Sequence, residues 1–365
     1  MPVSEKPLIG TKGQIRNQLL ENIAQQFQLS SSWNVLPIVP INGDLIVLNN
    51  NHTTTLKAVV KDDSGVYLIK QVPWYCSSEP FVSGMTDFIK HLHSQSFPTP
   101  ALSRTEEGKL YALAHGKLFY CQEFLFANSY GGSREHVRSM GSNLAHLHNI
   151  STRFSQEGRK FEGLPIESSS SLAQKMTDLL VDQIEEARVS DGRKKSSAAV
   201  HRYQEFVQRR LSLWSDHLTG GMPMVIHGDY NPYNLLFGED DSVIATLDYE
   251  NVAVSCASHD LAEGLMGVAV NKYRDNSTRF SEIGEHIDEE KVRLFLQGYT
   301  QSREGGTDIN YSGLAYQMGA IMIQLASLGF VRKDYKIEGI IRVSETIDRM
   351  VDVLGEKFES NYFGL

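Results

Sequence analysis

Only three cysteines occur in 365 residues, Cys76, Cys121 and Cys256. They are too few and too scattered for a disulfide framework or a thiolate metal site, and a reducing compartment is the simplest expectation. No apolar run approaches the roughly 18 residues that a membrane span needs. Met1–Pro7 contains no apolar signal core, so a cytoplasmic chain without a membrane partner is expected. Positive charge is in deficit: 35 Lys and Arg stand against 44 Asp and Glu, a net charge of −9. That balance disfavours nucleic acid as a partner and is compatible with a cationic ligand. No GxSxG elbow and no HExxH motif is present, which weakens any hydrolase reading. Missing, finally, is a GxGxxG loop: Gly43 stands alone in the region where short β-type runs begin.

What is present centres on Met224–Phe237 and the run that follows it. A short apolar stretch leads into His227–Gly228–Asp229, Asn234 comes five residues after that Asp, and the apolar run Val243–Leu247 ends in Asp248. Phosphoryl transfer uses such a set: a carboxylate to take the proton of an attacking hydroxyl, then an amide oxygen and a carboxylate to hold Mg²⁺. Leu235–Phe237 and Val243–Leu247, joined by a Gly/Asp/Ser turn, predict a hairpin that folds Asn234 and Asp248 back towards one ion. Gly, Asp, Asn and Pro are turn residues in any protein. Five positions in order, each beside the expected strand, are more than a turn requires.

These residues resemble the aminoglycoside phosphotransferase and choline kinase superfamily, small-molecule kinases that include homoserine kinase type II-like proteins. The signature HGDxxxxN followed by an Asp is matched by His227, Gly228, Asp229, Asn234 and Asp248, and the family's later Asp by Asp260. The resemblance implies an α+β, protein-kinase-like bilobal fold, with a small antiparallel-sheet N-lobe over residues 1–125 and an α-rich C-lobe over 126–365. It implies Asp229 as catalytic base, Asn234 and Asp248 as Mg²⁺ ligands, and ATP as phosphoryl donor. His227 and Asp260 would support the loop. Glu250, two residues past Asp248, is expected to support the loop or lie on the substrate side.

Taken in order, residues 12–29 carry Ile15, Leu19, Leu20, Ile23, Ala24 and Phe27 at helical spacing. Short β-type runs then cover Asn34–Lys70, with Asp62–Gly65 as a hairpin turn. By resemblance, Asn49, Thr53 and Thr54 form a phosphate cover in place of the missing glycine loop, although an ordinary polar loop reads equally well. Lys70 ends Val66–Lys70 like the third-strand lysine of kinases, which pairs with the α- and β-phosphates. The helix predicted at Glu79–Gln95 departs from the family: Met85 stands where an acid orients that lysine, and neither Glu79 nor Asp87 is an assured substitute. Residues 122–126 resemble the interlobe hinge, whose backbone at Glu123 and Leu125 would bind adenine. His91/His93 and His146/His148 suggest metal pairs, but residues two apart on a helix point about 200° from each other and do not chelate one ion. A basic loop at Gly192–Ser197 and helices near 171–188, 198–218, 260–273, 287–304, 311–329 and 337–358 complete the chain.

An ATP-dependent phosphotransferase acting on a hydroxyl of a small metabolite or antibiotic is therefore expected, and a homodimer is compatible with the sequence. The carboxylates at Asp229, Glu250, Asp260 and Glu263 suit an amine-bearing acceptor. Alternatives are a nucleotide-binding pseudokinase, given the missing glycine loop and Met85, and a protein kinase, which the short interval after Asp248 opposes.

Overall fold

The computed structural model describes residues 12–29, 34–35, 39–41, 44–46, 56–73, 76–154, 169–191, 194–218, 222–270, 287–305, 311–331 and 339–360. Helix α1 (Lys12–Gln26) precedes β1 (Asn34–Val35), β2 (Val39–Ile41), β3 (Asp44–Ile46), β4 (Lys57–Lys61) and β5 (Val66–Gln71). Then come α2 (Glu79–Ser94), β6 (Ala112–Ala114), β7 (Lys117–Glu123), α3 (Arg134–Ser151), α4 (Ser169–Asp191) and α5 (Lys194–Leu218). The motif region holds β8 (Met224–Ile226), β9 (Leu235–Phe237), β10 (Val243–Thr246) and β11 (Ala253–Ser255). Helices α6 (Ala257–Ala269), α7 (Glu289–Ser302), α8 (Tyr311–Val331) and α9 (Ile340–Glu359) follow. Among the described residues, no helix is long and apolar enough to cross a membrane.

The chain divides into two compact units. The first takes the described residues up to Tyr130, together with Phe154 and Leu235–Asn251; the second takes Gly131–Arg153, the segment ending at Asn234, and the chain from Val252 on. In the first unit, a five-stranded antiparallel sheet has the order β1-β4-β5-β7-β6. One face carries Ala58, Val60, Ile69, Ala112, Phe119 and Cys121, which pack with Leu20, Ile23 and Phe27 of α1. At roughly 25 cal/mol per Å² of apolar surface, burying that face is the main force holding α1 to the sheet. Ser78 caps α2 by accepting from Phe81 N–H, and Phe97–Pro98 follows its end.

Leu235–Asn251 joins this unit through backbone bonds. Asn128 and Phe237 exchange N–H···O contacts, and Thr246 N–H donates to Pro98 O at 2.8 Å. The β9–β10 hairpin pairs Leu235 with Thr246, so the chain leading in from Asn234 and out to Asp248 shares one end of it.

The second unit is mainly helical, with a two-stranded sheet of β8 and β11. Helices α3 and α7 cross through glycines. A Cβ on Gly141 would lie 2.0 Å from Phe295 O, and one on Gly298 would lie 2.1 Å from Arg138 O. Only hydrogen permits so close an approach.

Candidate active site

In the first unit, strand register assembles a polar row. Residues opposite each other on adjacent strands project to the same face. Lys57 faces Lys70, and Lys70 faces Tyr120, on the face opposite to Ile69 and the α1 core. Lys70 is buried, and its ammonium ion-pairs with Asp248 Oδ1 and with Glu250 Oε1 at 2.5 Å. The Tyr120 hydroxyl donates to that same Glu250 oxygen at 2.7 Å, and Lys57 Nζ lies 3.9 Å from Asp248 Oδ2. Burial alone would lower the pKa of Lys70, but the charges of Glu250 and Asp248 outweigh it and raise the pKa. Lys57 moves down, through burial and then the neighbouring ammonium of Lys70.

The two acids differ in kind. Asp248 has φ +64°, in the left-handed region that Asp tolerates better than most residues. Its side chain is 36% exposed, whereas that of Glu250, held in a 3₁₀ turn at Tyr249–Asn251, is 4% exposed.

In the second unit, β8 delivers the chain into the His227–Asn234 loop. Gly228 has φ +75°, a conformation glycine adopts without strain. Asp260, buried in the first turn of α6, accepts from His227 N–H and Gly228 N–H, each at 2.8 Å, and from His148 Nε2 at 3.2 Å. Burial would raise its pKa, yet the hydrogen bond from His148 and the neighbouring histidines hold it below the usual carboxylate range. His148 moves the other way: burial outweighs the attraction of Asp260 and lowers its pKa. A neutral ring then donates through Nε2 and accepts the Tyr299 hydroxyl at Nδ1, 2.8 Å away.

Asp229 is held within the loop. Its Oδ1 accepts from Asn231 Nδ2 at 2.8 Å and its Oδ2 from Asn234 Nδ2 at 3.0 Å, while Asp229 N–H donates to His227 Nδ1 at 3.3 Å. Tyr230 anchors the loop from below, donating to Met140 O and Asn143 Oδ1. Pro232 seats against Gly267, where a Cβ would come within 2.4 Å of its ring.

The α+β fold agrees with comparison to known proteins. A family model described as "Phosphotransferase enzyme family" matches residues 48–304, well over half of the chain. The chain belongs to that family. A search of curated protein sequences finds no match. Among solved structures, a spectinomycin phosphotransferase in complex with ADP and spectinomycin aligns at TM-score 0.56 and 14% identity, covering 94% of this chain and 98% of that one. An amicoumacin kinase with AMP-PNP and Ca²⁺ aligns at TM-score 0.60 and 12% identity, covering 96% of each chain. A Plasmodium vivax ethanolamine kinase gives 0.60 and 14%, covering 98% and 93%. At such identities the likeness speaks for the fold.

The residues of this phosphotransferase suit Mg²⁺ bound with nucleotide. Mg²⁺ takes one or two protein oxygens and fills its octahedron with phosphate oxygens and water. The half-exposed carboxylate of Asp248 in the first unit is a donor of that kind, and so is the amide oxygen of Asn234 in the second, whose nitrogen is turned to Asp229. Among the described residues, no cluster of three or more His, Cys, Asp or Glu forms an all-protein cage.

Several sequence expectations for the phosphotransferase change in the fold. Asn49, Thr53 and Thr54 lie outside the described residues. Glu123 is exposed and its N–H donates to Ala101 O, while Phe124 N–H donates to Val66 O. Leu125 is half-buried. Glu250 is buried against Lys70 and Tyr120. Asp260 is fully enclosed and Glu263 is buried, so these acids are not an exposed surface for an amine. Four residues of the site escaped the sequence reading. Lys57 looks like any lysine opening a strand until register pairs it with Lys70, and Tyr120 lies in an apolar strand. Asn231 was visible two residues after Asp229. His148, which the helix geometry only excludes from chelation with His146, is buried and braces Asp260.

Proposed function

We propose that this chain transfers the γ-phosphoryl group of ATP to a hydroxyl of a small molecule. The observation that supports this most is the holding of Asp229: two amide donors fix its carboxylate, on a loop pinned through two backbone N–H groups to Asp260. A carboxylate so placed can orient an acceptor hydroxyl and take its proton, worth about 10²–10⁴ in rate. Lys70 and Lys57 supply positive charge for the nucleotide phosphates, and Leu125 with the Glu123 carbonyl receives adenine. Mg²⁺, when bound, would be held by Asn234 and Asp248 and would neutralise charge on the transferring group. The loose transition state leaves the protein chiefly positioning and electrostatic work.

With Glu250, Asp260 and Glu263 buried, an amine on the acceptor is supported by the family and by the overall negative charge alone. Amino alcohols, homoserine-like amino acids, choline-like compounds and aminoglycosides are the classes to test. A peptide acceptor is disfavoured, because only a 3₁₀ turn, β11 and the start of α6 separate Asp248 from Asp260.

Incubating the enzyme with Mg²⁺–ATP and a metabolite extract, with mass-spectrometric detection, should reveal a phosphorylated product that Asp229→Asn does not make. No such product from extract or from the acceptor panel, together with tight Mg²⁺–ATP binding, would favour a second reading, nucleotide binding without turnover. Met85 and the missing glycine loop motivate that reading.

A further inference from the structure

Lys70 needs a fixed anionic partner if it is to present its charge to phosphates, and helix α2 does not supply one. Met85, at the helix position where an acid was expected, is 0% exposed. One turn on, Phe88 packs edge-on against the Tyr249 ring at 6.4 Å. The helix face beside the Asp248 segment is thus apolar. The acids that pair with Lys70 are Asp248 and Glu250, not Glu79 or Asp87.

Of these two, Asp248 is the one a bound cation would engage, and it is the more exposed. Glu250 is enclosed, with one oxygen shared between the Lys70 ammonium and the Tyr120 hydroxyl. Resting on the phosphotransferase reading above, we propose that Glu250 is the positioning residue of Lys70: its carboxylate, clamped by Tyr120, keeps the ammonium in place when Asp248 turns to the cation. The function that a helix-borne acid would serve has moved to the strand-end segment carrying Asp248. The lysine's placement then follows that segment and not the position of α2.

The test uses the full-length chain and Mg²⁺–ADP as probe. Glu250→Gln keeps shape and hydrogen-bonding capacity but removes the charge, so a purely structural role predicts little change. We expect the Mg²⁺–ADP Kd and the ATP KM to rise about tenfold, with the KM of any acceptor within about twofold of wild type. Lys70→Met should produce a loss of similar size, and the Lys70→Met/Glu250→Gln pair should be no more than about twofold worse than the poorer single variant, because coupled residues are not additive. A Glu250→Gln enzyme within about twofold of wild type in nucleotide affinity, or single losses that multiply in the pair, overturns the proposal. If Glu250→Gln does not fold, Tyr120→Phe takes its place, with an expected rise of about threefold in the same Kd; an unchanged Kd counts against the clamp. A wild-type chain that binds no Mg²⁺–ADP refutes the phosphotransferase reading itself and this inference with it. Normal wild-type binding with an unaffected Glu250→Gln refutes only the inference.

Discussion

Lys57 and Lys70 face each other across β4 and β5, and both ammonium groups reach the one carboxylate of Asp248. Like charges directly opposite on a sheet repel. Here Asp248 and Glu250 offset them; on the proposed reading, a cation engaging Asp248 would free that positive charge for phosphate.

Lys57→Met should therefore weaken nucleotide binding without dismantling the site. The ATP KM is expected to rise about tenfold, or about 1.4 kcal/mol, with kcat changed far less. Steady-state kinetics with ATP varied decide it; an unchanged KM removes Lys57 from the site.

Asp229→Ala should lower kcat by about 10³-fold or more while leaving Mg²⁺–ADP affinity near wild type, because the carboxylate acts on the acceptor and not on the nucleotide. Coupled detection of ADP release checks the first half and calorimetric titration the second. A large loss of nucleotide affinity would mean that Asp229 holds the donor.

Chelation of divalent cations should abolish turnover yet leave thermal stability unchanged. On the proposed reading a metal takes only two protein oxygens, those of Asn234 and Asp248, and no structural cage occurs among the described residues. A thermal scan with and without EDTA gives the answer, and a substantial fall in Tm would point to a structural ion.

Gly298→Ala forces a methyl group towards Arg138 O, which a Cβ would approach to 2.1 Å. Overpacking of this kind costs about 1–3 kcal/mol. At a backbone crossing that cannot relax, the upper end is expected, seen as a fall in the urea midpoint. An Ala variant as stable as wild type would show that α3 and α7 separate easily.

Stability should fall as pH drops from 7 to 5. The folded pKa of His148 lies below its ordinary 6.5, burial being the chief cause, and His259 shifts the same way. In the window below 6.5 the unfolded chain binds more protons, so the histidines' contribution is full above that pH and is lost as pH falls towards the folded value. Asp260, also shifted down, contributes above its ordinary 3.8 and loses that contribution only in stronger acid. His148→Gln keeps a donor for Asp260 but does not titrate, so its urea midpoint should depend less steeply on pH over this range; an unaltered slope would assign the effect to His259.

Much of the fold could be read along the chain because its signals are local. The period of Leu19, Leu20, Ile23 and Phe27 marks α1, and the Ser78 cap with Phe97–Pro98 brackets α2. The Asp62–Gly65 turn sets the β4–β5 hairpin. Asp229, Asn234, Asp248 and Asp260 could be singled out in the same way, since their spacing is fixed within short loops beside strands. The partners of Glu250 were not legible, because nothing in Tyr249–Asn251 announces that a lysine 180 residues earlier will neutralise it.

The sequence by itself determined the order of the groups proposed to do the chemistry: an Asp at the end of a short strand, an Asn five residues on, and an Asp after a hairpin are set by covalent spacing and turn geometry. Only the tertiary structure decided who holds them. Cross-strand register placed Lys57, Lys70 and Tyr120 in one row, and the burial of Met85 left Lys70 to Glu250. Packing of α3, α6 and α7 brought His148 and Tyr299 behind Asp260. Such partnerships join residues far apart in the chain, and they exist only because buried charges and polar groups must find partners once burial has taken water away.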